Sequence, residues 1–128
     1  MKDPVQSLHV IQARIATAGR LYQRPPGSVS LLAVSKAHSA ADIRAVLNAG
    51  QHMFGESYLQ EALAKVTALA GQAIEWHFIG PIQSNKTRGI AARFDWVLGV
   101  DSARIAQRLS DQRPADLEPL NVCIQVNV

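Results

Sequence analysis

The sequence predicts an α/β fold built on a parallel sheet, and three observations predict it. Short apolar runs alternate with stretches of helical periodicity from residue 29 onward. A new apolar run begins about every 20 to 27 residues, the period of a strand–helix unit and too long for a hairpin. Ser39, Ser57 and Ser84 stand ahead of helical stretches, and Gly50 and Gly71 stand behind them. Such alternation places helices outside a parallel sheet.

The first element is a helix over 6–22, where Leu8, Ile11, Ile15, Ala18 and Leu21 fall on one face. Arg24-Pro25-Pro26-Gly27 ends it with a turn. The run 29–35 predicts the first strand, because Leu31 to Val34 is too short for a helix. Ser39 caps a helix over 40–48, whose apolar edge is Ile43, Val46 and Leu47, and Gly50 stops it. A strand at 52–55 and a helix at 58–69 capped by Ser57 follow. Glu61 lies near the first turn of that helix. The third unit is a strand at 74–79, a Gly80-Pro81 turn and a helix at 85–94 with Ser84 as its cap. The fourth is a strand at 96–100 and a helix at 103–109 capped by Asp101 or Ser102. A polar, proline-bearing loop at 111–119 leads to a fifth strand at 122–128.

Two architectures satisfy this order, an open doubly wound sheet and a (β/α)8 barrel. The first strand–helix turn has no G-x-G-x-x-G, which counts against a dinucleotide-binding open sheet. In the last strand Asn121, Cys123, Gln125 and Asn127 share one face, and Val122, Ile124, Val126 and Val128 share the other. A valine face toward helices and a polar face toward a barrel interior fit that pattern, as does a one-sided solvated strand. A complete barrel needs about 250 residues and eight strands. Five strands cannot close it, so either the chain is a fragment, which is the expectation, or a partner chain completes the sheet; the reading is one domain over 1–128, a partial barrel with a helix at 6–22 and strand–helix units from 29 onward.

Composition sets bounds on function. Apolar residues make up 48% of the chain, which is globular rather than disordered. Thirteen Lys and Arg against ten Asp and Glu give +3, with no run of like charge. Two Tyr, two Trp and three Phe are too few for a base-stacking platform, so a nucleic-acid partner is not expected. Cys123 is the single cysteine, which excludes an internal disulfide and agrees with a reducing compartment. Its apolar run predicts a buried thiol. The amino terminus lacks the apolar core of a signal peptide, and no stretch spans a membrane. A cytoplasmic location is expected.

The chemistry centres on Lys36, just past the first strand, where ligands of α/β proteins bind. Apolar neighbours that partly desolvate a lysine lower its pKa, and the neutral amine forms Schiff bases with aldehydes and ketones. A solvated lysine beside a strand is the plain alternative. Glu56-Ser57, then His77, Gln83, Asn85 and Lys86, then Asp101 follow later strands, and a barrel gathers such positions on one rim. Each has a structural reading too. His77 fits a core histidine, Glu56 a helix-dipole partner, and Asp101 and Asn85 caps. Lys86 and Arg88 fit a solvated helix face. The four histidines and one cysteine show no metal-ligand spacing.

LLAVSK at 31–36, FGES at 54–57, EWHFIGPIQSNK at 75–86, FDW at 94–96 and LNVCIQVN at 120–127 together resemble the pyridoxal phosphate homeostasis proteins, small relatives of the alanine racemase barrel. The resemblance runs from about Leu31 to the end of the chain. It implies a parallel (β/α)8 TIM-type barrel, of which this chain supplies about the first five strands. It also implies pyridoxal 5′-phosphate (PLP) as cofactor, held as a Schiff base on Lys36; Ser57, His77, Asn85 and Asn127 are the candidates to line the pocket. The family is regarded as carrying or regulating the cofactor without established turnover, so vitamin B6 homeostasis is expected rather than catalysis. PLP-dependent apo-enzymes are the expected recipients, and the full-length protein is an expected monomer. Ala37 and His38 stand where the family commonly has Thr and Lys, and Ser57 stands where it commonly has Asn. Barrels of this type grip phosphate through loops after strands seven and eight, beyond the five expected here.

The alternative is a PLP-dependent racemase, decarboxylase or lyase, which needs a positioned acid or base; His77 and Asn127 are the nearby candidates. A basic nucleic-acid-binding domain is the third reading, and it predicts salt-dependent binding.

Overall fold

The computed structural model describes residues 3–128; the first two residues of the expected 1–128 span lie outside the described residues. Helix α1 (Pro4–Leu21) precedes β1 (Ala33–Val34), α2 (Ala40–Asn48), β2 (Met53–Glu56) and α3 (Leu59–Ala68). Then come β3 (Glu75–Phe78), a 3-10 turn (Ser84–Lys86), α4 (Thr87–Arg93), β4 (Trp96–Val100), α5 (Ala103–Gln112) and β5 (Asn121–Ile124). The five strands form one sheet in the order β1-β2-β3-β4-β5, and every pair is parallel. A doubly wound sheet reverses its strand order at a switch point. Here each strand lies beside the next in sequence, which is the order of a (β/α)8 barrel. The sheet is an open arc of that plan, with β1 and β5 at its edges.

Strand alternation divides the sheet into two faces. Phe54, Trp76, Phe78 and Val97 face the helices and form the core with Ile43, Leu59, Ile90, Ala91 and Leu109. Phe54 lies 6.1 Å from Trp76, and Phe78 meets Phe94 edge-on at 5.3 Å, between ring centroids. The register aligns Val34, Gly55, His77, Trp96 and Asn121 as one row on the opposite, barrel-side face.

The caps at Ser39 and Ser102 form as expected: their hydroxyls accept the N–H groups of Asp42 and Ile105 at 3.1 and 3.2 Å. Other expectations need correction. Helix α1 starts at Pro4, capped by Asp3, and buries Leu8 alone; Ile11 and Leu21 stay exposed because α1 packs mainly against α2. Strand β1 is two residues long, since the Leu31 carbonyl accepts from the Gln51 side chain at 2.6 Å instead of joining the ladder. Ser57 caps nothing. The α3 cap position is Tyr58, and the Ser57 backbone packs against Gly80. Ser84 is not a cap either: residues 84–86 make the 3-10 turn, and the Ser84 carbonyl accepts from Thr87 Oγ1 and Arg108. Helix α5 runs on to Gln112, into the expected loop. Strand β5 ends at Ile124, and its apolar face is exposed at Val122 and Ile124, because no described helix follows to cover it. Cys123 is half-buried rather than buried.

Gly80 explains why the loops after β2 and β3 sit so close. A Cβ there would lie 2.9 Å from Ser57 Cα and collide with the Ser57 carbonyl oxygen. Backbone on both sides leaves no flexible group to yield. Gly80→Ala is expected to cost about 2–3 kcal/mol, the upper range for forced overpacking, read as a lowered urea midpoint with unchanged slope.

Candidate functional site

The carboxyl ends of the five parallel strands form one rim, and Lys36 is at its β1 end. The Ser35 N–H donates to the Gly55 carbonyl at 2.9 Å, which continues the β1–β2 ladder one residue past β1. The chain then turns, with the His38 N–H donating to the Ser35 carbonyl at 3.0 Å. Lys36 and Ala37 are the two central residues of that turn, and Ala37 has φ of +67°. Lys36 is exposed and has no side-chain hydrogen bond or ion pair among the described residues. The desolvation by apolar neighbours expected at Lys36 is therefore not what the structure shows.

Directly beneath the turn lies a buried charged network. Glu56, fully buried, takes a short hydrogen bond from the Ser35 hydroxyl. Lys65, 6% exposed, donates to both Glu56 oxygens at 3.0 and 3.1 Å. The same ammonium donates to the Ser35 carbonyl at 2.8 Å and to Glu61 Oε1 at 2.7 Å. Its three N–H bonds thus have three partner residues. Glu61 Oε1 also accepts the Ala37 N–H at 2.5 Å. Residues on both sides of Lys36 are held from below, while the Lys36 side chain is free. The helix-dipole role expected of Glu56 gives way to this ion pair.

Lys65, hydrogen-bonded to the ionised carboxyl, holds Glu61 below its ordinary value near 4.5; the Ala37 N–H adds to the effect and partial burial opposes it. A depressed carboxyl pKa contributes stability that is complete above the unfolded value and is lost as pH falls through the folded one. The melting temperature is therefore expected to fall as the medium is acidified below the ordinary glutamate range. Glu61→Gln should flatten the part of that fall that Glu61 causes, as thermal melts over a pH series would show.

The other expected site residues are distributed along the rim or below it. Ser57 is half-buried, in the loop directly after β2. Asn85 is exposed on the 3-10 turn after β3. Asn127 lies three residues past β5, exposed, with its Oδ1 accepting from Gln125 Nε2 at 3.4 Å. Four strand spacings separate the β1 and β5 ends, about 19 Å of sheet. His77 is lower, in the Val34–Gly55–Trp96 row. It is 4% exposed, bonded through Nε2 to Glu75 at 2.8 Å and stacked flat on Trp96 at 5.6 Å. Its Nδ1 is buried without a partner among the described residues. Only the chain neighbours of Lys36 and Ser57, Ser35 and Glu56, are hydrogen-bonded to each other; no bond joins Lys36, Ser57, Asn85, Asn127 and His77 among themselves. Sequence reading missed Lys65 altogether. Its one signal was the Glu61–Lys65 spacing, which on a helix gives an i,i+4 ion pair.

An apolar cleft of about 450 Å³ runs between α1, β1 and α2, lined by Leu8, Ile11, Leu32, Val34, Val46 and Phe54 among others. It reaches Ser35 and His38 but not Lys36. No group of three or more metal-ligating side chains occurs among the described residues, and no described helix is long and apolar enough to cross a membrane.

Sequential parallel strands with helices between them define the first part of a βα barrel, with the Lys36 amine at the strands' carboxyl rim. Residues 7–128 match the family model described as alanine racemase, N-terminal domain, and the chain belongs to that family. It is 56% identical over 128 residues to the pyridoxal phosphate homeostasis protein of Pseudomonas aeruginosa, covering all of this chain and 56% of that protein. It is 47% identical to the protein of the same name from Escherichia coli K12, again over all of this chain and 56% of the relative. The chain thus spans about half the length of these curated relatives. Among solved structures it resembles PipY of Synechococcus elongatus with PLP bound, at 45% identity and a TM-score of 0.66 over 74% of this chain and 45% of that one. It also resembles an unknown protein from Bifidobacterium adolescentis, at 32% identity and a TM-score of 0.79 over 86% of this chain and 49% of that one.

Proposed function

We propose that this chain is the Lys36-bearing part of a pyridoxal phosphate carrier, acting in vitamin B6 homeostasis rather than catalysis. The observation that carries the reading is the Lys36 turn: an exposed, unpaired amine on a braced loop at the carboxyl rim of a barrel-type sheet. The relatives' names, and the PLP bound in PipY, support the choice of ligand.

The residues present fit such a group. Of the four lysines, Lys65 is buried with every N–H engaged, whereas Lys36 projects free. PLP supplies an aldehyde that condenses with an amine, losing water and leaving a C=N bond to Nζ. Lys36 holds the ligand, and the Ser35–His38 turn orients the amine. Ser57, beside it on the rim, offers a hydroxyl to the ring or its substituents. Asn85 and Asn127 line the pocket farther round the rim, and His77 forms its floor. Strands beyond these five supply the phosphate grip.

A carrier reading is favoured over an amino-acid racemase, decarboxylase or lyase. His77, the best acid–base candidate, is tied to Glu75 and stacked on Trp96 one row below the rim. A cytoplasmic location, PLP-dependent apo-enzymes as recipients and a monomeric full-length protein belong to the same proposal. Titration with PLP tests it: a saturable imine absorption band is expected, together with no racemization, CO₂ release or elimination from amino acids. Turnover of any amino acid by the purified protein would overturn the carrier reading.

A further inference from the structure

We propose that Lys65, Glu56 and Glu61 are positioning residues, a largely buried clamp from the second strand–helix unit that holds the Lys36 turn of the first in its ligand-ready shape. The inference rests on the reading of Lys36 as the PLP anchor, and it deepens that reading.

The turn is not one its sequence favours. Ala37 at φ +67° occupies left-handed space, which costs an L-residue about 1–2 kcal/mol, and such a conformation persists where surroundings over-determine it. The surroundings here are the clamp. Glu61 Oε1 takes the Ala37 N–H, Lys65 Nζ binds the Ser35 carbonyl, and Glu56 takes the Ser35 hydroxyl. All three act on the residues flanking Lys36 and none on Lys36 itself. Burying the Glu56 carboxylate and the Lys65 ammonium is a poor route to stability, since well-packed apolar side chains of similar volume serve as well or better. Fixing one geometry is what the network does that apolar packing would not. A pre-ordered amine loses less freedom when it captures its ligand.

Glu61 is the member to change, because its side chain is 32% exposed and its loss leaves the Lys65–Glu56 pair intact. Three readouts on the protein, Glu61→Ala and Glu61→Gln separate the outcomes: hydrogen exchange at the Ala37 amide, the melting temperature, and the rate of borohydride trapping of PLP on Lys36. In Glu61→Ala the Ala37 amide is expected to exchange faster and trapping to slow about tenfold, with folding retained. Glu61→Gln keeps an acceptor for the Ala37 N–H and should trap at close to the parent rate. Equal trapping by the parent and Glu61→Ala would overturn the positioning role while leaving Lys36 as the anchor. A parent that traps nothing on Lys36 would overturn the anchor reading, and the positioning role with it, even with Ala37 protected.

Discussion

Lys36→Ala is expected to take up no PLP at the rim and to keep its fold. The side chain is exposed and bonded to nothing, so its removal should change stability by no more than about 0.5 kcal/mol, the range for surface substitutions. The turn does not need it, because every bond that shapes the turn comes from Ser35, Ala37 and His38. Loss of the imine band should therefore be complete while the far-ultraviolet dichroism and the melting curve stay in place. Lys86, half-buried at the end of the 3-10 turn, is the internal control: replacing it should leave the band unchanged.

Lys65→Met is expected to do the opposite, with a large cost in stability. It leaves Glu56, with no exposed surface, as an uncompensated buried charge and leaves the Ser35 carbonyl with the His38 N–H as its one donor. Breaking a buried pair this way costs about 3–5 kcal/mol, a large part of the 5–15 kcal/mol typical of a whole domain. Adding Glu56→Gln to Lys65→Met removes the stranded charge and should recover part of the loss. Chemical denaturation of the two single variants and the double variant measures the coupling. A Lys65→Met protein as stable as its parent would mean that the network carries no weight in the folded state.

The two lysines show which parts of the molecule were legible in the sequence. The place of Lys36 was legible: an apolar run too short for a helix, then a lysine just past the end of the strand. The order of strands and helices was legible for the same local reason, since apolar periodicity and caps such as Ser39 and Ser102 are written in neighbouring residues. Lys65 was not legible. It reads as a solvated residue on an amphipathic helix, and its burial depends on Glu56 nine residues earlier and Ser35 thirty residues earlier meeting it across two elements. Ser57 and Ser84 failed as caps because loop contacts overrode their propensity: Gly80 packs on the Ser57 backbone, and Arg108 claims the Ser84 carbonyl. His77 was read as either a core or a pocket residue. Its place in the second row depends on strand register, which local pattern does not encode.

The central claim is that Lys36 is the amine that captures PLP, and the most direct measurement is reductive trapping. The protein is mixed with PLP, reduced with borohydride and digested, and the labelled peptide is read by mass; where the gene continues past Val128, its full product is treated alongside. A phosphopyridoxyl group on Lys36, with Lys65 and Lys86 unmodified, is the predicted result. Label spread evenly over the lysines, or absent from Lys36 in both samples, would contradict it.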